Sequence, residues 1–551
     1  MRVHRVEPTG APRARGRPGL LPAAEAVTRL PPLMPDRSRT DHRPFASLGI
    51  AALLLVLAAG CGTPPTRRTT VTWLIGPAEP PFDPAGPADP VRWSLERLVG
   101  DGLVAIDSSG RIVQAAARRW DVTPDGLAYT FQLKPGLSFG NGRECKSADF
   151  RAAIEAGLNR VDHSTNAWML SPIVGVDRVR AGRPLPALGI ATPDEHTLVL
   201  RLARPDPTLL HKLALPGVSS PWLRGAGHGG WGGGIGAYRV VAREPGRRLL
   251  LARRSEVVGP DTVRVEFSVS AAKGRGLLRH GRADLFWPVP PGMLAQPLPE
   301  GYRPVVQPSR PQRRVWLVMR PDLPPTRRIE ARRALAHGLN RPAILSALGL
   351  RAKESDAWLP GGHAIDLPRH DPGAVREWLE RGRFGRSMHV VMAYAVDGLG
   401  AEIARGMQTE WAGTALDVEL RPLRAGSMRA EAFRRGGAQL LLLEAQPTSE
   451  DPIAELAGLV EPRNAPPVGT FRTGWSTRDF DRWIGPQPPE TPLDLELAER
   501  RLGEELIAVP LAQAPWVWVA RDGGGGIGGH PRYGPDLLPP RPAISVVHQT
   551  R

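Results

Sequence analysis

The stretch "RRWDVTPDGLAYTFQLKPGLSFGNGRECKSADFRAAIEAGLNRV", Arg118 to Val161, constrains the fold more than any other, because two periodicities meet in it. Asp125-Gly126 is a turn signal of the kind that joins antiparallel strands, and Leu127, Tyr129, Phe131 and Leu133 alternate after it. Alternation places these four on one face of a strand. The period then changes: Phe150, Ile154, Leu158 and Val161 recur at helical spacing, with Ser147 placed to cap the helix. A hairpin, a loop and a helix in so short a span call for a mixed α/β unit.

At 551 residues the chain exceeds what one core supports, so two or more lobes are expected. Further apolar periodic segments fit that expectation. "VTWLI" at 71–75 reads as a strand, and "VRWSLERLVGDGLVAID" as a helix with Leu95, Leu98 and Val99 on one side, then a short strand.

The longest uncharged apolar run, about 16 residues from Phe45 to Gly60, falls short of the roughly 20 that span a bilayer. It passes into "GTPPTRRTT", which offers a core helix nothing to pack against. Arginines precede it (Arg37, Arg39, Arg43) and small residues close it, as in a processed leader. An uncleaved signal anchor is the alternative reading. "LAAGC" resembles the lipobox of bacterial lipoproteins, which implies acylation of Cys61 and removal of residues 1–60. Residues 1–33 lack hydrophobic periodicity, and Met34 opens an ordinary basic leader, so translation is expected to start at Met34.

The formal charge is +17, and residues 1–60 contribute 9 basic and 4 acidic side chains, leaving +12 without them. Basic chains often meet nucleic acid. Here only five of the 72 basic residues are lysine, and the arginines are scattered beside abundant Ala, Gly and Pro, a skew that looks like GC-rich codon usage. No nucleic-acid partner is expected. Once Cys61 is acylated, Cys145 is the one thiol left, so no internal disulfide can form.

Signals for chemistry are weak. "GAGHGG" (225–230) and "GGGIGG" (524–529) match G-x-G-x-x-G, but neither runs into a helix as a dinucleotide fingerprint must, and both read as loops. "SAAK" (270–273) lacks the K-T-G that accompanies a serine nucleophile of that type. None of the 13 histidines has another at i+3 or i+4; His363 and His370 flank a turn-like "AIDLPRH". No metal, cofactor or catalytic residue is expected, and the chain does not read as an enzyme.

The Arg118–Val161 stretch resembles the conserved segment of the bacterial extracellular solute-binding proteins of the peptide and nickel class, family 5. Trp120, Asp125, Gly126, Tyr129, Thr130, Phe131, Leu133, Phe139, Gly142, Ala148 and Asp149 carry the match. "TPDEHTLVLRLARPDPTLL", "GIGAYRVVAREPGRRLLLARR", "RRIEARRALAHGLNRPAILSAL", "GWSTRDFDRWI" and "ERRLGEELIAVPLAQAPWVWVA" resemble later family elements in order, with Asn340 where aspartate is usual. The resemblance covers about residues 71–521.

It implies an α/β, two-lobed periplasmic-binding-protein-like fold (type II, cluster C) with an extra subdomain inserted in lobe I. After a tether at 61–72, lobe I would comprise 70–97, 217–290 and 519–551, the insertion 98–216, and lobe II 291–518. The implied function is capture of a solute, an oligopeptide by family frequency, by a monomeric lipoprotein on the outer face of the cytoplasmic membrane. Its partners would be an ABC permease, an ATPase and, through acylated Cys61, membrane lipid. A signalling or structural lipoprotein that keeps the fold without transport is the alternative.

In peptide-binding members a lobe II aspartate pairs with the peptide amine. The counterpart here is "LLLLEAQPTSEDP", which aligns Ala445 with the family's tryptophan and Thr448 with the anchoring aspartate. Threonine cannot neutralise an ammonium, so Glu444, Glu450 or Asp451 would have to substitute. Glu444, Gln446, Thr448 and Asp451 are therefore candidate ligand residues, with Trp358 and Trp475 as aromatics in loop-like segments that could line the cleft.

Overall fold

The hairpin is decided locally. The Asp125 carboxylate accepts hydrogen bonds from Thr123 Oγ1 (2.6 Å) and Leu127 N (2.9 Å), and Gly126 takes a φ of +69° that a Cβ would strain. Strands Ala117–Val122 and Ala128–Leu133 pair antiparallel across this turn, with Tyr129, Phe131 and Leu133 buried and Leu127 half-buried. Helix Ser147–Leu158 buries Phe150, Ile154 and Leu158 in the same core. Ser147 does not cap it: its hydroxyl donates to Asp194 O at 2.5 Å, and the Asp149 carboxylate accepts from Lys146 N at 2.8 Å instead. A carboxylate suits the positive end of a helix better than a hydroxyl does.

The computed structural model describes residues 69–538 apart from 83–88, 159–166, 177–187, 224, 226, 255–257, 291, 308–312, 360–361, 397, 425–426, 429–430, 433, 435, 446–491, 524–526 and 531–533. Cys61, Val161, Gln446, Thr448, Glu450, Asp451 and Trp475 lie outside the described residues, as does the 45–60 apolar run. Among the described residues no helix is long and apolar enough to cross a membrane.

Three sheets organise the described residues into two α/β lobes and an inserted subdomain. The lobe I sheet runs in the order Tyr302–Val306, Val517–Arg521, Leu285–Phe286, Thr70–Leu74, Thr262–Glu266, Arg248–Arg253, Tyr238–Glu244. Thr70–Leu74 lies parallel to both its neighbours. The inserted subdomain holds the antiparallel sheet Ala117–Val122, Ala128–Leu133, Thr197–Arg201, Ile190–Asp194. Leu198, Leu200 and Leu202, the alternating leucines, are buried there.

Lobe II has the order Lys353–Glu354, Ala508–Ala514, Arg313–Met319, Leu440–Ala445, Met388–Ala395, Leu416–Leu423. Every residue of Arg313–Met319 is buried. Helix Gly400–Ala412 connects the parallel pair Met388–Ala395 and Leu416–Leu423. In the helix pair Ile329–His337 and Arg341–Ser346, Asn340 Oδ1 accepts from Ala343 N at 3.2 Å, which is the cap expected before Pro342.

Sheet membership moves the lobe boundaries. Tyr302–Val306, expected in lobe II from residue 291, pairs along its length with Val517–Arg521, and Val517 and Trp518 likewise join the lobe I sheet. The chain therefore leaves the lobe I sheet at Val306, enters the lobe II sheet at Arg313, and returns between Ala514 and Val517. Helix Pro90–Val99 ties lobe I to the insertion: Trp93 enters the insertion core, while Leu95, Leu98 and Val99 enter that of lobe I. Its start is fixed by Pro90 and by the Asp89 carboxylate, which accepts from Arg92 N at 2.8 Å.

The other motifs have structural explanations. Ser270 caps helix Ala271–Arg279 by accepting from Lys273 N, so the serine and lysine of "SAAK" meet through a cap. "GAGHGG" leads through a short 3-10 turn, His228–Gly233, toward strand Tyr238–Glu244. The second glycine string does not run into loop alone: Gly528–His530 pairs with Gly534–Asp536.

Candidate functional site

The two crossings are joined to one another. Gln307 N donates to Trp516 O (2.8 Å), Trp516 N donates to Gln307 Oε1 (3.1 Å), and Gln307 Nε2 donates to His530 O (3.2 Å). His530 in turn donates through Nε2 to Ile106 O in the insertion at 3.0 Å. One buried glutamine thus couples both crossings to lobe I.

Aromatic stacking continues the connection into lobe II. Trp73 and Trp287 lie 6.0 Å apart, Trp516 meets Trp287 edge-on at 5.2 Å, and the Arg313 guanidinium lies 4.1 Å from the Trp516 ring centroid. Arg313 also donates to Glu444 Oε1 (2.5 Å), Ala514 O (3.3 Å) and Pro515 O (3.3 Å). Burial pushes the Arg313 guanidinium below its usual pKa, and Glu444 pulls it back. Stacking and a carboxylate together are what a buried guanidinium requires.

Glu444 also faces a helix. Its Oε2 accepts from Leu399 N at 3.0 Å, just before helix Gly400–Ala412, whose N-cap residue supplies no side-chain cap of its own. Gly398 lies against this carboxylate with φ +76°, and a Cβ there would come within 2.7 Å of Oε2. Glu444 therefore already balances Arg313 and a helix terminus. A ligand ammonium reaching it would have to share the carboxylate.

Of the remaining expected ligand residues the structure describes Trp358, which is only 2% exposed and packs in the lobe II core. Its carbonyl accepts from Trp316 Nε1 at 3.2 Å. It does not lie at a surface. His363 is half-exposed, and its N and Nδ1 lie 3.0 and 2.8 Å from Glu499 Oε2, a carboxylate with no exposed surface. Among the described residues no three His, Cys, Asp or Glu side chains are grouped to hold a metal.

Arg313, Gln307 and Trp516 were not singled out in the sequence. The signal for Arg313 was available in "RRVWLVM": arginines opening an otherwise apolar strand need stacking or charged partners.

Comparison with known proteins agrees with the architecture. The profile of the bacterial extracellular solute-binding proteins, family 5 Middle, matches residues 111–466, more than half of the chain. The chain belongs to this family. The oligopeptide-binding protein OppA of Bacillus subtilis is 22% identical over 368 residues, which cover 60% of this chain and 67% of that protein. A dipeptide-binding protein of Lactococcus lactis is 26% identical over 168 residues, only 30% of either chain. The solved structure of the Escherichia coli murein tripeptide binding protein MppA superposes with a TM-score of 0.70 at 18% identity, covering 86% of this chain and 97% of that one. In MppA the fold is kept while most side chains change.

Proposed function

We propose that this chain is the solute-capturing component of an ABC importer, and that it takes an oligopeptide between its two lobes and delivers it to a membrane permease served by a separate ATPase. The observation that supports the reading is the pair of crossings: among the described residues the chain passes from one sheet lobe to the other between Val306 and Arg313 and back between Ala514 and Val517, in a family of solute-binding proteins. Two narrow connections let the lobes close by hinge rotation, and a ligand favours closure by its differential affinity for the closed form. The relatives named above carry peptide-binding names, which supports the peptide class. Attachment by acylated Cys61 would hold the protein beside its permease and raise its effective concentration there.

Thr448 at the position of the usual acidic anchor favours a peptide whose amine is blocked, or is met by Glu450 or Asp451. The same threonine is the observation behind the second reading, a lipoprotein that keeps the fold for signalling. A thermal-shift screen with free and N-acetylated peptides, metal chelates and sugars tests both. A ligand at 100 times its Kd adds about 2.7 kcal/mol. A response to peptides supports import, and a flat response to every class refutes it.

A further inference from the structure

A groove of about 340 Å³ lies where Gly140 and Asn141 of the insertion face His228, Gly232, Arg239 and Val240 of lobe I. Its walls touch through backbone, since a Cβ on Gly140 would come within 2.5 Å of Gly232 O. Three side chains bring polar heads to the lining: Arg239, His228 and Asn141. Among the described residues no carboxylate lines it.

Among the described residues no carboxylate pairs with Arg239. Arg239 is exposed on Tyr238–Glu244, the last strand of the lobe I sheet, and pairs in register with Ala252. That register sets it diagonally across from Arg254, within side-chain reach. Among the described residues Arg254 donates to neutral oxygens, Ser138 O (3.0 Å), Ser138 Oγ (3.3 Å) and Gly234 O (3.3 Å). Burial and the nearby Arg239 hold its pKa below the usual value.

Acidic side chains on the flanking segments are engaged elsewhere: Glu79 with Arg243, Asp149 with Arg143, and Glu244 with Arg247. Asn141 spends its Oδ1 on Arg143 N, which leaves its amide hydrogens to donate. Guanidinium, imidazole and amide groups lining one groove without a described carboxylate suit an oxyanion. The volume sits at the low end for organic ligands, larger than a bare ion needs.

We propose that this groove binds the phosphate group of a small phosphorylated solute or of a phospholipid headgroup. The proposal does not rest on the transport reading. Calorimetric titration of the full-length protein with glycerol 3-phosphate, against glycerol at matched ionic strength, tests the soluble source. Co-sedimentation with phosphatidylcholine vesicles, with and without phosphatidic acid, tests the lipid source.

Arg239→Gln should weaken binding at least about tenfold in one of the two assays, and Arg239→Lys by less. Arg264→Gln, which removes an equal charge from an exposed position on the same sheet, should leave binding unchanged. Loss confined to glycerol 3-phosphate assigns a soluble ligand, and loss confined to phosphatidic acid vesicles assigns a headgroup. Equal effects of Arg239→Gln and Arg264→Gln overturn the proposal, because general charge then explains the binding. So does a wild-type protein that prefers neither phosphate probe to its control. An unchanged melting curve for Arg239→Gln excludes misfolding as the cause of any loss.

Discussion

Arg313 and Glu444, 131 residues apart in sequence, meet at 2.5 Å on adjacent strands of the lobe II sheet, where the chain has just crossed from lobe I. Replacing the carboxylate by an amide leaves a buried guanidinium without its counter-charge, and one amide oxygen where two carboxylate oxygens served Arg313 and Leu399 N. Glu444→Gln should cost about 2–3 kcal/mol in urea unfolding, toward the lower end for buried pairs because Glu444 is partly exposed. Adding Arg313→Met should recover part of that loss. If both single variants match wild type, the pair contributes nothing to stability and this account of the crossing fails.

Gln307 joins the crossings with both ends of its amide. Gln307→Ala removes the acceptor of Trp516 N and a donor to His530 O, and should destabilise by about 2 kcal/mol. If the crossings act as the hinge, peptide affinity should change as well. A variant equal to wild type in both melting temperature and affinity would show that the crossings hold together without it.

How far the sequence could be read depended on the range of the interaction. The insertion hairpin and helix are set by Asp125-Gly126 and by apolar spacing within a few residues, so they are legible. Ser147 was misread because hydroxyl and carboxylate caps two residues apart look alike until Asp194 O is found to occupy the hydroxyl. Tyr302–Val306 escaped its lobe because it is an edge strand with Pro304 inside it, and such strands show neither alternation nor a buried run. Gln307 and Trp516 are 209 residues apart, and nothing local to either announces the other. Trp358 sits in loop-like sequence yet fills a core, since tryptophan follows space and not secondary structure.

A turn in the insertion gives a pH prediction. Burial raises the Asp107 pKa, but hydrogen bonds from Ser109 and Arg111 outweigh it and hold the carboxyl at about 2. A depressed folded pKa contributes stability above the unfolded value of about 3.9, and that contribution fades as pH falls toward 2. Asp107→Asn should therefore destabilise by about 1 kcal/mol at pH 7, after discounting for solvent screening. The gap from wild type should close between about pH 4 and 2. A gap that persists at pH 2 in chemical denaturation would assign it to side-chain shape.

Cys145 is buried in the insertion core, and burial pushes its thiol pKa far up. Thiolate is the reactive form. Iodoacetamide at pH 8.5 should leave the Cys145 peptide unmodified in the native protein and label it fully in denaturant, as read by mass spectrometry. Rapid native labelling would mean that the core around Phe139 and Phe150 opens readily.

The anchoring proposal turns on Cys61. In the proposed attachment the cysteine is the residue that carries the lipid, and two or more acyl chains hold a protein firmly where one holds it marginally. Cys61→Ala should move the protein from the membrane to the soluble fraction while leaving its melting temperature and ligand response unchanged, because Cys61 precedes the first described strand, Thr70–Leu74. Metabolic labelling with a palmitate analogue should mark wild type and not the variant. Membrane association that survives the substitution would replace the acylated cysteine with an uncleaved apolar segment as the anchor.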